Sequence, residues 1–139
     1  MLVETAKTSL GKLFAVLCYD EVRLIELFSA LNLLAWVKVL YSTPLLFERD
    51  TYRTFSGLDQ TTWMLIFGLI SVWQLAGVFL RWSHGHEVRF LGLALASGAW
   101  MSVALSFYVS SISTTAHLNY LLLALACMIS GAFVGWRQT

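Results

Sequence analysis

Glu26 is the carboxylate of this sequence that lies within an apolar stretch, and Lys38 follows it twelve residues later. Charged side chains in hydrocarbon are costly, so Glu26 is a candidate for binding an ion or a substrate. The alternative is an interfacial charge that pairs with Arg23 or with a lipid headgroup. On a helix Glu26 and Lys38 are roughly 18 Å apart, so they cannot pair with each other. We expect each to reach its own membrane interface or a neighbouring helix.

Gln74 is an amide inside the charge-free apolar stretch 62–80, with Ser71 one helical turn before it and Arg81 two turns after it. An amide without a partner in hydrocarbon costs kilocalories. We therefore expect Gln74 to hydrogen-bond to another helix, and the alternative is that it binds a substrate or an ion. Asn32 is a further polar residue in the first apolar stretch.

His84, His86 and Glu87 form the cluster that comes nearest to a metal site. Zinc sites need three or four fixed ligands, and these residues share a short turn around Gly85. A solvated turn that gains positive charge below neutral pH is the alternative. The sequence has no HExxH, GxSxG or phosphate-binding glycine loop, and Cys18 and Cys127 have no CxxC spacing. We predict no cofactor and no enzymatic activity.

The elements that position these residues are long apolar segments. The stretch 62–80 holds nineteen residues without a formal charge, and as a helix it would rise roughly 28 Å, close to the thickness of a bilayer core. Of the 139 residues, 58% are hydrophobic and 12% are charged, against about 25% charged in soluble domains. The sequence predicts an all-α integral membrane protein, a single domain folded as a four-helix bundle, with spans at about 24–41, 62–80, 88–109 and 116–136.

Two segments outside the spans carry further expectations. Residues 1–19 place apolar residues at helical spacing, which predicts an amphipathic helix on the membrane surface or a cap over the end of the bundle. They lack the long apolar run of a signal peptide, so we expect them to be retained. In the polar connection 42–60, Thr43 and Pro44 predict the start of a short interfacial helix. Tyr52 and Phe55 suit the membrane interface, and Asp59 is placed to cap the second span.

The charge distribution predicts the orientation. With a net charge of +1, no basic excess favours nucleic acid as a partner. Four spans put both termini on one side of the membrane, and the lysines and arginines are more frequent there. We therefore expect both termini in the cytoplasm and the protein in a cytoplasmic membrane, of bacterial or viral origin. The residues on the terminal side are Lys7, Lys12, Arg23, Arg81, Arg89 and Arg137, against Arg49 and Arg53 on the other, with Lys38 nearer to that other side.

Small residues recur at every fourth position in the last two spans. Helices in lipid associate through close packing, so such stripes mark contact faces. For the serines two interpretations stay open: their hydroxyls bond back to their own helix, or they line a narrow water path when copies assemble. The third span has Ala94, Gly98, Ser102, Ser106 and Ser110, and the fourth has Cys127, Gly131 and Gly135.

The leading functional prediction is a small membrane protein that self-assembles as a homo-oligomer in the lipid bilayer and forms a pore or a permeabilising lesion. It is similar to phage holins and to membrane-acting defence effectors in size, number of spans and shortness of loops. The alternative is a non-conducting membrane anchor that docks a partner protein through residues 1–19 or 42–60. A third is a small secondary transporter, because four short spans with an acid in the first resemble the small multidrug resistance transporters. Glu26 departs from that family by lying near the end of its span, as does the long loop that follows.

Overall fold

The computed structural model describes residues 21–80, 84–110 and 114–136 of the 139. The amphipathic helix predicted for residues 1–19 lies outside this part of the chain. Of the residues that are described, 90% are helical and none belongs to a strand. Within them four helices are long and apolar enough to cross a membrane. The prediction of an all-helical fold with four helices that are long and apolar enough to cross a membrane is therefore confirmed for this part of the chain.

The helices are α1 (Glu21–Ser42), α2 (Gln60–Phe79), α3 (Gly85–Val109) and α4 (Ala116–Trp136). Each begins or ends within three residues of the predicted span. The lengths follow from the apolar runs, since an uninterrupted run of about 20 residues matches the bilayer core. The largest difference is that α3 begins at Gly85, so the turn residues His86 and Glu87 belong to its first turn.

Consecutive helices run antiparallel. α3 and α4 make the most extensive contact, followed by α1 with α2, and the α2–α3 and α1–α4 contacts complete the bundle. We call the end where α1 and α3 begin and where α2 and α4 end the terminal end. The opposite end, which carries the connection between α1 and α2, is the loop end.

The connection between α1 and α2 is packed against the bundle. It contains two 3-10 helices, Leu46–Glu48 and Asp50–Gly57. The side chain of Gln60 holds its start: the amide nitrogen donates to the carbonyls of Leu40 and Thr43, and the amide oxygen accepts from the backbone N–H of Leu46 at 3.1 Å. The short helix thus starts later than Thr43 and Pro44 predict.

Two local predictions for this connection have different outcomes. Asp59 does cap α2: its carboxylate accepts from the backbone N–H of Thr62 at 3.1 Å and from the Thr62 hydroxyl. These two hydrogen bonds favour the ionised form and hold the pKa of Asp59 below its ordinary value of 3.8. Phe55, expected at the membrane interface, is instead 1% exposed and lies in the protein core.

The core at the loop end is a cluster of aromatic rings, which we call the aromatic cluster. Trp36 is its centre and contacts five rings at centroid distances between 5.7 and 6.3 Å. The Trp36 indole N–H donates to the Tyr120 hydroxyl at 3.2 Å, so its polar atom is satisfied inside the bundle. The cluster consists of Trp36, Tyr52, Phe55, Trp63, Phe67, Phe107 and Tyr120.

Candidate functional site

The terminal half of the bundle contains buried polar side chains from all four helices. Six of the described polar residues are buried, and together we call them the polar layer: Glu26, Ser29, Ser71, Gln74, Arg89 and Ser130. By helical rise, Glu26, Gln74 and Arg89 each lie roughly 6–8 Å along the axis from the terminal end of their helix. Three helices thus bring a carboxylate, an amide and a guanidinium to one depth.

Glu26 of α1 and Arg89 of α3 form a buried ion pair. The Arg89 Nε donates to both carboxylate oxygens of Glu26, at 2.9 and 3.2 Å, and one terminal guanidinium nitrogen lies 2.9 Å from Oε2. Their side chains are 1% and 8% exposed, respectively. Each charge neutralises the other, which removes much of the cost of placing them at this depth.

The burial of Glu26 differs from the interfacial position considered from the sequence, and Arg89 is a partner that the sequence analysis did not name. Glu26 is buried, and its described partner Arg89 lies 63 residues away on another helix. The signal that could have found it was an arginine in the first turn of the third span, at the same depth as Glu26. Without the helix arrangement, however, that arginine looks like an ordinary interfacial charge.

Two serines of the polar layer tie α1 to its neighbours. The Ser71 hydroxyl of α2 donates to the backbone carbonyl of Ala30 in α1 at 2.9 Å. The indole N–H of Trp100 in α3 donates to the hydroxyl of Ser29 in α1 at 2.9 Å. Since each hydrogen bond has one geometry that satisfies it, these contacts fix the axial register of α1 against α2 and α3.

Two glycines let α2 and α3 approach closely around Gln74 and Arg89. A Cβ added to Gly77 of α2 would lie 3.3 Å from Arg89 Cγ. A Cβ added to Gly92 of α3 would lie 3.5 Å from Gln74 Cγ and 3.0 Å from Trp73 Cδ1. Each helix therefore presents a glycine to a long polar side chain of the other.

Gln74 differs from the rest of the layer because its amide has no hydrogen-bond partner among the described residues. The side chain is 2% exposed, and both its oxygen and its nitrogen are buried. The sequence led us to expect an interhelical hydrogen bond from this amide. The burial between helices is present, but that hydrogen bond is not.

The two small-residue stripes occupy different surfaces. In α4, Cys127 and Gly131 are buried, and Cβ atoms added to Gly131 and Gly135 would lie 3.4 Å from Leu93 and Phe90 of α3. These residues pack α4 against α3. In α3, by contrast, Gly98 is exposed, and nothing lies within 4 Å of the position where its Cβ would be.

The serines of the α3 stripe are half-buried. The Ser102 hydroxyl donates to the Gly98 carbonyl at 2.9 Å, and the Ser106 hydroxyl donates to the Ser102 carbonyl at 2.8 Å. This back-bonding is one of the two arrangements considered from the sequence; the other depends on assembled copies and stays a prediction. Ser110, the last residue of the stripe, is also half-buried, at the end of α3.

The remaining candidates lie on the surface. His84 Nδ1 is 3.5 Å from Glu87 Oε2, with both side chains at least 70% exposed, and His86 is exposed beside them. No group of three or more potential metal ligands occurs among residues 21–80, 84–110 and 114–136. Lys38 is exposed on α1, whereas Asn32 donates to its own helix at the Phe28 carbonyl, at 2.8 Å.

Comparison of the chain with protein families, with curated proteins and with solved structures gives no match.

Proposed function

We propose that this protein is a non-enzymatic integral membrane protein whose function is to self-assemble in the bilayer. Copies associate through the outward stripe of α3, formed by Ala94, Gly98 and Ser102. The observation that carries the proposal is the exposure of Gly98, a glycine in the middle of a membrane-spanning helix with open space in place of a side chain.

The open space at Gly98 contrasts with the large side chains on the rest of the bundle surface. Each of the four helices exposes large apolar side chains, such as Phe28, Leu69, Leu105 and Ile129, which suit contact with lipid. In lipid an apolar surface gains little by burial against another, so association depends on how closely two backbones can approach. The stripe of α3 is where a neighbouring helix could come nearest.

The stripe of α4, unlike the stripe of α3, packs inside the bundle. Gly131 and Gly135 are already in contact with α3, so they serve the fold of one chain. That leaves the α3 stripe available for contacts between copies.

The experiment is a measurement of association in membranes. The full chain is labelled with donor and acceptor fluorophores, and energy transfer is recorded in liposomes at several protein-to-lipid ratios. We expect Gly98→Leu to weaken association by about tenfold or more, since a tenfold loss corresponds to about 1.4 kcal/mol. The variant should still fold, because leucine is a better helix former than glycine.

The matched control is Ala35→Leu, which places the same side chain at an exposed small residue of α1. It should associate like the wild type. A wild type that stays monomeric at every ratio contradicts the proposal, as does an equal response of the two variants.

A second candidate function is that the assembly conducts. It is favoured by the half-exposed hydroxyl positions Ser102 and Ser106, which continue the Gly98 stripe. A water path of this kind would run along the stripe, between copies. Release of a trapped dye from liposomes by the wild type, and its loss in Ser106→Leu, would support a pore. Association without release would leave a sealed assembly, such as a membrane anchor with a docking surface at 42–60.

The transporter alternative has less support from the geometry. A carboxylate that carries a substrate across the membrane must exchange its partner, and Glu26 is held by Arg89 at 2.9 Å inside the bundle. Proton-coupled uptake that disappears in Glu26→Gln, with association unchanged, would revive it.

We place the protein in a cytoplasmic membrane with both termini on the cytoplasmic side. The support is the excess of lysine and arginine at the terminal end. Labelling of single cysteines introduced at the exposed positions Ser56 and His86 from outside intact cells tests this orientation. Ser56 should react and His86 should stay protected, and the reverse pattern would invert the topology.

A further inference from the structure

The amide of Gln74 is the unexplained group in the polar layer. Its side chain is 2% exposed, and neither polar atom has a partner in the part of the chain that the structure describes. Burial without hydrogen bonds is expensive for an amide, and buried polar groups in native proteins nearly always have a partner. Gln74 therefore indicates that a further molecule occupies this position.

The register of α1 and α2 places Gln74 at nearly the same depth as Glu26. Ser71 of α2 lies opposite Ala30 of α1, which its hydroxyl contacts. Three residues further along α2 is Gln74, and three residues back along the antiparallel α1 is Leu27, which follows Glu26. The amide and the carboxylate thus lie at nearly the same depth, within about one residue rise of 1.5 Å.

The register of α2 and α3 places Arg89 on the same helix interface as Gln74. Gln74 packs on Gly92 and Arg89 packs on Gly77, so the two side chains cross the same interface on adjacent turns. Arg89 continues from there to Glu26. Gln74 and Arg89 therefore share the α2–α3 interface, and Arg89 links that interface to the carboxylate on α1.

We propose that this junction binds an internal water molecule, hydrogen-bonded to the Gln74 amide and to the Glu26–Arg89 pair. The amide offers both a donor and an acceptor, so its partner must be able to accept and to donate. A metal cation would face the guanidinium, and an anion would face the carboxylate. Water is neutral, has both functions and is the usual partner of buried polar groups that the protein leaves unsatisfied.

The direct test is a high-resolution structure of the full chain in lipid. We expect a density peak within about 3.2 Å of the Gln74 amide oxygen or nitrogen, with a second contact to Glu26 or Arg89. An empty position beside the amide would overturn the proposal. A protein group bonded to both amide atoms would overturn it as well.

The second test is energetic and compares Gln74→Leu with Gln74→Met. Both remove the hydrogen bonds at similar volume, and Met adapts more readily to an irregular space. If the amide holds a water, both variants should raise the unfolding equilibrium constant by about tenfold or more, since the water and the ion pair lose a partner. If the amide has no partner, both variants should be as stable as the wild type or more stable, and the proposal fails.

A control variant calibrates the size of this effect. Ser71→Ala removes a hydrogen bond that the structure does show, one turn from Gln74 on the same face of α2. A loss in the glutamine variants at least equal to the loss in Ser71→Ala supports an occupied site. This inference does not depend on assembly, because all three tests read out from a single bundle.

Discussion

The two halves of the bundle are stabilised by opposite means. At the loop end, seven aromatic residues share many contacts of which no single one is indispensable. At the terminal end, directional polar contacts link α1 to α2 and α3. Aromatic packing tolerates small displacements, whereas an ion pair in a bundle core does not. The polar layer thus links the helices by directional contacts, and the aromatic cluster links them by packing.

Breaking the ion pair on one side should give the largest effect. Arg89→Met would leave the Glu26 carboxylate at 1% exposure without this guanidinium. Removing one partner of a buried pair costs about 3–5 kcal/mol of unfolding free energy. Unfolding in mixed detergent measures it, with Arg53→Met in the exposed connection as a control that should change little.

The double variant Glu26→Met with Arg89→Met sharpens this prediction. It removes both charges and should recover most of the stability that the single variant loses, because two apolar side chains of similar volume can replace a buried ion pair. If the double variant were as unstable as the single one, the layer would contribute packing area rather than charge complementarity.

Phe55→Ala tests the other half. Phe55 is 1% exposed and contacts five rings, so its truncation should cost about 3–5 kcal/mol, at or below the cost of Arg89→Met. Phe28→Ala is the matched control, since Phe28 is 61% exposed on α1. A similar small loss in both variants would mean that the connection is not part of the core.

Gln60→Leu should have an intermediate effect on the unfolding free energy. It tests a polar contact at the loop end, where most other core contacts are aromatic. It removes three hydrogen bonds that hold the start of the connection, for which we expect about 1–3 kcal/mol. The loss should be local, so hydrogen exchange at the Leu46 amide should accelerate more than exchange within α3. Thr61→Ala, at an exposed neighbouring position, should leave that amide unchanged.

Much of the fold could be predicted because the signals are local. An apolar run of about 20 residues defines a span, and an aspartate three residues before Thr62 predicts a cap that the structure contains. The pairing of Glu26 with Arg89 and the burial of Phe55 depend on contacts between distant parts of the chain. The neighbouring sequence of these residues does not predict such contacts.

The small-residue stripes show the same limit in another form. Spacing reveals that Gly98 and Gly131 each belong to a face of small residues. It does not reveal that Gly131 faces α3 while Gly98 faces outward, because that depends on how the helices are rotated in the bundle.

Asp59 gives the smallest and most local effect, and it adds a pH dependence to the loop end alone. Its pKa in the folded protein lies below the ordinary value of 3.8, because Thr62 donates two hydrogen bonds to the ionised carboxylate. A depressed folded pKa gives stability that is present above 3.8 and is lost as the pH falls through the folded value. Asp59→Asn keeps a residue that caps helices but does not titrate.

The comparison of wild type and Asp59→Asn across pH isolates this contribution. At neutral pH the wild type should melt at a slightly higher temperature, and the difference should vanish as the pH falls below 3.8. The effect is small because the carboxylate is exposed to solvent. Any loss of melting temperature in acid that remains in Asp59→Asn comes from other carboxylates. The same pH series on the double variant Glu26→Met with Arg89→Met shows whether the polar layer or the loop end loses stability first as the pH falls.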